Sequence, residues 1–289
     1  MFNNFELIKN ADLSKFSTIK IGGRAKYMLF PKDENELKQI LKVAKQNNIK
    51  TQIIGNASNV LFDDKGFDGA ILHLKHFDQI EVCGQDVIVG AGVNLYKLNF
   101  ELKSRGLSGL EWSFGVPASI GGFVFMNGGC FGNEICGLVD EIKVLKEGRV
   151  FTLKRKQIEF EYRTSNIDGI ILQIRLKLKK DDPKEIEKRM FAFLKRKRES
   201  QPCDVPSLGS VFKRIDSKDG KVFPAKLIDM LGLKGVKIGR AEISTKHAGF
   251  IVNLGGATSQ DVKDLIALIE KEFKKYGIFV EKEIKILDF

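Results

Sequence analysis

The sequence predicts an α+β fold in two domains. Strand-like segments dominate as far as residue 180, and helices mix with strands after it. Strands and helices do not alternate as βαβ units, which argues against a doubly wound nucleotide fold. The chain has 289 residues, and at roughly 100–200 residues per domain that length accommodates two domains, each with a core of its own.

Taken in order, the elements are these. Residues 33–47 carry Leu37, Ile40, Leu41 and Ala44 at helical spacing. Asp33 and Glu36 form a capping-box pattern just after Pro31, so a helix starts there. Lys50–Ile54 reads as a strand that runs into the turn cluster Gly55-Asn56-Ala57-Ser58-Asn59, and Val60–Phe62 resumes the apolar run. Residues 80–89 predict a hairpin about Gly84. A helix over 95–105 has Asn94 as its cap and Gly106 as its stop. Residues 142–153 predict a second hairpin about Glu147-Gly148. Ile170, Leu172, Ile174, Leu176 and Leu178 alternate with their neighbours, as in a half-buried strand. Asp181-Asp182-Pro183 is the best domain break. Beyond it, helices are expected over 184–199, 224–231 and 259–276. The last places Val262, Leu265, Ile266, Ile269 and Phe273 on one face. Ala248–Leu254 and Ile278–Leu287 read as strands, and no internal repeat or low-complexity tract occurs.

Composition narrows the class of protein. Hydrophobic residues make up 43% and charged residues 29%, which excludes a disordered chain. Lys and Arg number 48 against 37 Asp and Glu, a formal net charge of +11. That balance suits nucleic acid, an anionic membrane or anionic small substrates, and selects none of them. Cys83, Cys130, Cys136 and Cys203 form no C-x-x-C pair and read as reduced thiols of a cytosolic protein. The opening MFNNFELIKN lacks a basic segment followed by an apolar one, so no signal peptide is expected. Residues 112–133 carry no charge over 22 positions, long enough to span a bilayer. Pro117, six glycines and two asparagines would leave backbone groups unsatisfied in lipid, so the stretch reads as buried loops and short strands.

Each motif has an ordinary reading beside the functional one. Gly55–Asn59 and Gly115–Gly122 let backbone N–H groups converge on a phosphate, because few side chains block the approach. Taken singly, either loop is more often plain turn chemistry, and neither is a Walker A loop or a G-x-G-x-x-G. Lys188, Arg189, Lys195, Arg196, Lys197 and Arg198 on a predicted helix read as a solvated face. His73 with His76, and Cys130 with Cys136, lack further ligands at metal-binding spacing, so no metal is expected. Ser210 follows Gly209 with no G-x-S-x-G elbow, Arg163 ends a strand-like run, and Glu283 shares a face with Glu281 and Lys285. Pattern alone makes none of these three catalytic.

Taken together, the motifs resemble the UDP-N-acetylenolpyruvoylglucosamine reductase family. TIKIGGRA over 18–25 is similar to that family's opening, and Gly55-Asn56-Ala57-Ser58-Asn59-Val60-Leu61 to its first flavin loop. The most specific match runs from Gly106-Leu107-Ser108-Gly109 through Gly115-Val116-Pro117-Ala118-Ser119-Ile120-Gly121-Gly122 to Met126-Asn127-Gly128-Gly129. Tyr162-Arg163-Thr164-Ser165, Gly209-Ser210-Val211-Phe212-Lys213, Ser244-Thr245-Lys246-His247-Ala248 and Glu281-Lys282-Glu283-Ile284 follow in the family's order. Arg163 and Ser210 lie 47 residues apart, which resembles the family's second type, without an inserted substrate-covering loop and its tyrosine. There are departures. Ala57 and Ala118 stand where glycine is usual, which a methyl tolerates if φ is negative; Lys282 replaces a common proline, and Gly128-Gly129 replaces Ala-Gly. Lys213-Arg214 lacks the usual Asn-Pro.

The resemblance implies an FAD-binding fold of the vanillyl-alcohol-oxidase (PCMH-like) type with a second, smaller α+β substrate-binding domain. Residues 1–180 would bind FAD in two subdomains, about 1–75 and 76–180. Residues 181–276 would bind substrate, and 277–289 would carry Glu283 to the active site. FAD, held non-covalently, would rest on Gly55, Asn56, Ala57, Ser58, Asn59, Gly115, Val116, Pro117, Ala118, Ser119, Gly121, Gly122 and Asn127. NADPH would be the co-substrate and the enolpyruvyl ether of a UDP-sugar the acceptor. Arg163 would face its carboxylate, Glu283 would donate a hydrogen bond, and Ser210 would supply a proton. The implied protein is a cytoplasmic monomer of peptidoglycan precursor synthesis, acting on small molecules, with neither nucleic acid nor membrane as partner. Two other readings compete. One is another FAD oxidase or dehydrogenase of this fold, acting on an alcohol or hydroxy acid, which would not share the Tyr162–Ser165 and Gly209-Ser210 motifs as a set. The other is a basic nucleic-acid-binding protein, which would show steep salt dependence and no chromophore.

Overall fold

The computed structural model describes residues 1–217 and 220–287. The chain forms two compact units. The first comprises Met1–Lys9, Tyr27–Asn56 and Gly69–Arg196, and the second Asn10–Lys26, Ala57–Asp68 and Lys197–Phe289. Neither unit is a continuous segment. The last passage between them falls within a helix, after Arg196, rather than at the Asp181-Asp182-Pro183 turn.

In the first unit, helix α1 (Glu34–Gln46) starts where Asp33 accepts from Glu36 N at 2.9 Å, while Glu36 accepts from Lys32 N at 3.0 Å. One of the orphan donors at the helix start is thereby satisfied, and the residue before the cap is tied to the first turn. The helix buries Leu37, Ile40 and Ala44. It leads into the strand Thr51–Ile54, which pairs in parallel with Ala70–His73. Gly55 therefore sits just beyond the carboxyl end of a parallel strand, the usual ligand-facing end. Helix α2 (Leu95–Ser104) is capped by Asn94, which accepts from Tyr96 N at 2.7 Å.

An antiparallel sheet has the strand order Arg149–Lys154, Val139–Lys146, Ile170–Lys177, Asp86–Gly90, Ile80–Cys83. The loop Glu147-Gly148 closes the first hairpin with φ of +51° and +76°, a two-residue turn whose twist matches that of its strands. Leu172, Ile174 and Leu176 point into the core, and Gln173 and Arg175 are less buried, as the alternation predicts. The core also takes Leu37, Ile40, Leu72 and Ile142.

The uncharged stretch departs from expectation. It contains a helix, α3 (Ile120–Phe125), beside a 3-10 turn at Glu111–Ser113 and a two-residue strand at Gly129–Cys130. Six residues with two glycines give no readable helical period. Gly121 is required there, because a Cβ would lie 2.7 Å from Ala91 Cβ and 2.8 Å from Ala91 O.

On helix α4 (Pro183–Ser200), Lys188, Lys195, Arg196 and Arg198 are exposed, as a solvated face requires, and Arg189 departs from that reading. Arg189 reaches the buried Glu111 carboxylate at 2.9 Å and also bonds Asp181 and Ser108 Oγ. Arg196 stacks over the Phe131 ring, 4.8 Å from its centroid. Burial raises the Glu111 carboxyl, and donors from the backbone, Arg189 and Ser108 outweigh it, so the group lies below its ordinary 4.5. A depressed carboxyl stabilises the fold above the unfolded-state value and loses that contribution as pH falls through the folded one. Breaking a buried pair costs roughly 3–5 kcal/mol. Arg189 itself is 38% exposed, so Arg189→Met is expected to cost about 2 kcal/mol at pH 7. The gap from wild type should shrink below the carboxylate range. Urea midpoints at pH 7 and pH 3 check this, and a gap unchanged by acid would contradict it.

The second unit carries a sheet in the order Ser207–Ser210, Phe250–Asn253, Ala241–Ile243, Lys237–Ile238. Helix α5 (Pro224–Met230) begins with proline, and α6 (Ser259–Lys274) is capped reciprocally by Thr258 and Asp261. Asp64 accepts a further bond from Ser259 N at 2.7 Å. Helix α6 buries Val262, Leu265, Ile266, Ile269 and Phe273, the face its sequence marks. The strand expected over 278–287 is shorter. Lys285–Leu287 pairs in parallel with Val60–Phe62, and before it only a bridge from Lys282 to Phe212 occurs. Residues 288 and 289 lie outside the described residues. Among the described residues no helix is long and apolar enough to cross a membrane, and no disulfide joins the four cysteines.

Candidate active site

Within the first unit, the two glycine-rich loops meet. A Cβ on Gly55 would lie 2.0 Å from Ser119 Oγ, so the loop after strand Thr51–Ile54 lies directly on the 115–122 loop. Asn56 Nδ2 donates to Pro117 O at 3.4 Å. The 115–122 loop is fixed from beneath: Leu95 N donates to Ala118 O, Ile120 N to Val93 O and Gly121 N to Ala91 O, at 2.8–3.0 Å. Gly115 has φ +88°, a conformation open to glycine. Val116 N donates to Ser113 O at 2.9 Å.

What these bonds leave over defines the chemistry. Ser119 precedes α3 without capping it through its hydroxyl. The first-turn N–H of Gly122 therefore has no acceptor among the described residues. Gly122 is exposed, and a Cβ there would meet only Ser119 Oγ, at an ordinary 3.4 Å. The surface is neutral, and at Gly122 it presents a main-chain donor that no side chain crowds. It fits a diphosphate approached by backbone amides.

Arg163 is placed in the same unit by a hairpin, Phe160–Glu161 against Thr164–Ser165. It occupies the second position of the two-residue turn with φ +58°, strained for a residue with a Cβ. Its Nη2 donates to Gly129 O at 2.7 Å, and its guanidinium lies 4.9 Å from the Tyr162 ring centroid. Ser165 Oγ donates to Phe125 O at 2.7 Å. Asn127 is committed to the protein. Its Nδ2 donates to Glu161 O at 2.9 Å and Glu134 Oε2 at 3.2 Å, and its Oδ1 accepts from Cys136 N at 3.3 Å. Its side chain is buried, 1% exposed.

Within the second unit, Ser210 and Glu283 come together around Val211. Ser210 ends the strand Ser207–Ser210 opposite Phe250, after a register shift at Gly209, whose φ is +80°. Such a bulge re-aims the side chain that follows it. Val211 N donates to Gly249 O at 2.9 Å, and Val211 O accepts from Glu283 N at 2.7 Å. Lys213 N donates to Glu281 O at 2.8 Å, which carries the pairing on. Glu283 is half-buried, whereas Glu281 and Lys285 are exposed, so the shared solvent face expected from alternation does not form. The chain at 281–284 is not regular strand, and alternation does not apply.

Asn59 joins this group. Its Nδ2 donates to Glu283 O at 3.0 Å, and its own carbonyl accepts from Lys285 N at 2.9 Å. The Asn59 side chain, expected against a cofactor, holds the main chain of Glu283. Ala57 has φ +44°, so the condition under which its methyl was to be tolerated, a negative φ, is not met. The methyl is accommodated, 5% exposed, in a conformation that glycine adopts more readily. Ala118 carries no positive φ. Of His73 and His76, the latter pairs with Glu6 at 2.7 Å, and burial holds the His73 imidazole down at about 4. Nothing in the one-dimensional pattern marks Asn59 as the partner of Glu283, or Asn127 as the partner of Glu161, because each link is made only by the tertiary fold.

Comparison with known proteins gives the family. Residues 201–287 match the family described as UDP-N-acetylenolpyruvoylglucosamine reductase, C-terminal domain, and residues 25–153 match the FAD binding domain. The UDP-N-acetylenolpyruvoylglucosamine reductase of Thermotoga sp. (strain RQ2) is 42% identical over 278 residues, 95% of this chain and 91% of its own length. That of Lactobacillus acidophilus is 41% identical over 95% of this chain and 93% of its own. Among solved structures, the UDP-N-acetylenolpyruvylglucosamine reductase of Thermus caldophilus superposes with a TM-score of 0.83 at 31% identity, covering 98% of this chain and 99% of that one. The α+β FAD-binding architecture expected from the motifs is therefore the architecture found.

Proposed function

The chain belongs to the UDP-N-acetylenolpyruvoylglucosamine reductase family, and from that premise we propose how its residues carry out the reduction. The substrate is the enolpyruvyl ether of UDP-N-acetylglucosamine, the product is UDP-N-acetylmuramate, and the electrons come from NADPH. Bound FAD supplies the hydride carrier between them. Main-chain N–H groups of Gly55, Asn56, Gly115, Ser119 and Gly122, which are not spent on protein carbonyls among the described residues, would hold its diphosphate.

The protein's own part begins when the methylene carbon has gained a hydride. Negative charge then develops on the adjacent carbon and spreads into the carboxylate. Fixed donors aimed at that charge lower the barrier without reorganising. Arg163 supplies a permanent cation whose fork matches a carboxylate. Its tie to Gly129 O and its turn conformation hold it still. Glu283, as the neutral acid, donates a second hydrogen bond. Ser210 gives its hydroxyl proton to the carbanionic carbon, which completes the addition of hydride and proton across the double bond. A serine hydroxyl is a weak acid, and a carbanion is a base strong enough to take its proton. The observation that supports this reading is the bond from Glu283 N to the Val211 carbonyl, which sets Glu283 beside the residue that follows Ser210, from a distant part of the sequence. The net charge of +11 suits two anionic substrates. The chain acts as a monomer in the cytoplasm.

Two glycine variants separate fold from cofactor. Gly121→Ala is expected to destabilise by about 1–3 kcal/mol, because its methyl strikes Ala91. Gly122→Ala meets no such contact, and in a helix alanine is favoured over glycine by about 1 kcal/mol. The Gly122→Ala apoprotein should melt no lower than wild type and yet purify with less FAD. Flavin absorbance per protein, read beside the melting curve, checks this; a full complement of FAD would contradict the assignment of Gly122. The reaction itself is tested by NADPH consumption that depends on added enolpyruvyl substrate. Consumption indifferent to that substrate would overturn the reading.

A further inference from the structure

We propose that Asn127 is a positioning residue for Arg163 rather than a contact of the cofactor. The inference rests on the reading of Arg163 as the cation that faces the substrate carboxylate, and it deepens that reading. Three observations carry it. First, the Asn127 amide is spent inside the protein: its NH₂ donates to Glu161 O and Glu134 Oε2, and its oxygen accepts from Cys136 N. Second, Glu161 lies two residues before Arg163 on the hairpin whose turn Arg163 occupies. Third, Arg163 holds φ +58° and Asn127 φ +41°. Strained conformations of this kind persist only where the surroundings over-determine them.

The geometry gives the mechanism of positioning. One buried amide joins two loops: the 127–136 turn, through Cys136 N and Glu134, and the 160–165 hairpin, through Glu161 O. The Arg163 guanidinium then closes the same circuit by donating to Gly129 O, two residues beyond Asn127. The outer strand of the hairpin is tied to Phe125 O by Ser165. The turn bearing Arg163 is thus clamped at three points onto residues 125–129, and Asn127 is the buried one. Phe131, 5.2 Å from Phe193 between ring centroids and under Arg196, fixes the 127–136 turn from its other side. Removing the amide frees the Glu161 carbonyl, and the relief of strain at Arg163 then turns the guanidinium away.

The test uses the FAD-loaded protein and follows the two half-reactions separately by stopped flow. Asn127→Gly is the informative variant, because glycine adopts φ +41° freely and only the amide is lost. FAD content and NADPH-driven bleaching are expected within about twofold of wild type, while substrate-driven recovery falls roughly 10–100-fold. Asn127→Asp, which keeps an acceptor for Cys136 N and loses the donor to Glu161 O, is measured beside it and should show the same split. In an Arg163→Met background, adding Asn127→Gly should slow recovery by less than about twofold further. Full multiplication of the two losses would overturn the positioning role alone. Loss of FAD with a normal recovery rate in the loaded fraction would make Asn127 a cofactor residue and overturn it likewise. A recovery rate untouched by Arg163→Met on its own would sink the reading of Arg163, and the proposal with it.

Discussion

Replacing Ser210 by alanine leaves NADPH-driven bleaching of the flavin near its wild-type rate and slows recovery on adding substrate by about 10²–10⁴-fold, the usual worth of a positioned proton donor. The asymmetry follows from what the hydroxyl does. It has no part in loading the hydride and acts only when a carbanion needs a proton. The fold around it should survive, because the pairing of Ser210 with Phe250 and the bonds of Val211 to Gly249 and Glu283 are main-chain contacts. Ser210→Cys retains a proton to give, in a larger and differently aimed group, and is expected between alanine and serine. Stopped-flow traces in which both half-reactions slow equally would remove Ser210 from the role.

Glu283→Gln is expected to retain more activity than Glu283→Ala, with the alanine variant down by roughly 10²–10³-fold, as for the loss of one donor to a developing anion. Glutamine keeps a donor at the position and alanine keeps none. The comparison is clean in structure. Glu283 is held by its N–H on Val211 O and by its carbonyl on Asn59 Nδ2, and both contacts survive either substitution. Steady-state rates with saturating substrate decide it. Equal losses would mean that the negative charge of Glu283, and not a hydrogen bond donated by it, is what the reaction uses.

Much of the scaffold was legible because it obeys simple periodicity. Helices α1 and α6 show their buried faces as spaced apolar residues between recognisable caps, and the 139–154 hairpin announces its two-residue turn at Glu147-Gly148. Helix α3 was hidden because six residues with two glycines carry no period, and only the packing of Gly121 on Ala91 explains the choice of residue. Arg189 was misread for a related reason. A helical charge pattern records which residues are basic, and it does not record that a buried Glu111 waits across the fold. The candidate site divides the same way. Its residue types were readable, and the two glycine loops do meet within the first unit. The side-chain duties of Asn59 and Asn127 were not readable, because an amide's partners are set by loops far away in sequence. The left-handed backbone of Ala57 and Arg163 was invisible for the same reason, since neither residue type signals a positive φ.

The most direct test is an absorption spectrum of the purified protein under anaerobic conditions, recorded alone, after NADPH, and after the enolpyruvyl sugar nucleotide. Flavin bands should be present at the start, bleach with NADPH, and return with that substrate but not with simple alcohols or hydroxy acids. A folded protein that takes up no FAD, or whose reduced flavin is left untouched by the enolpyruvyl ether, would contradict the account.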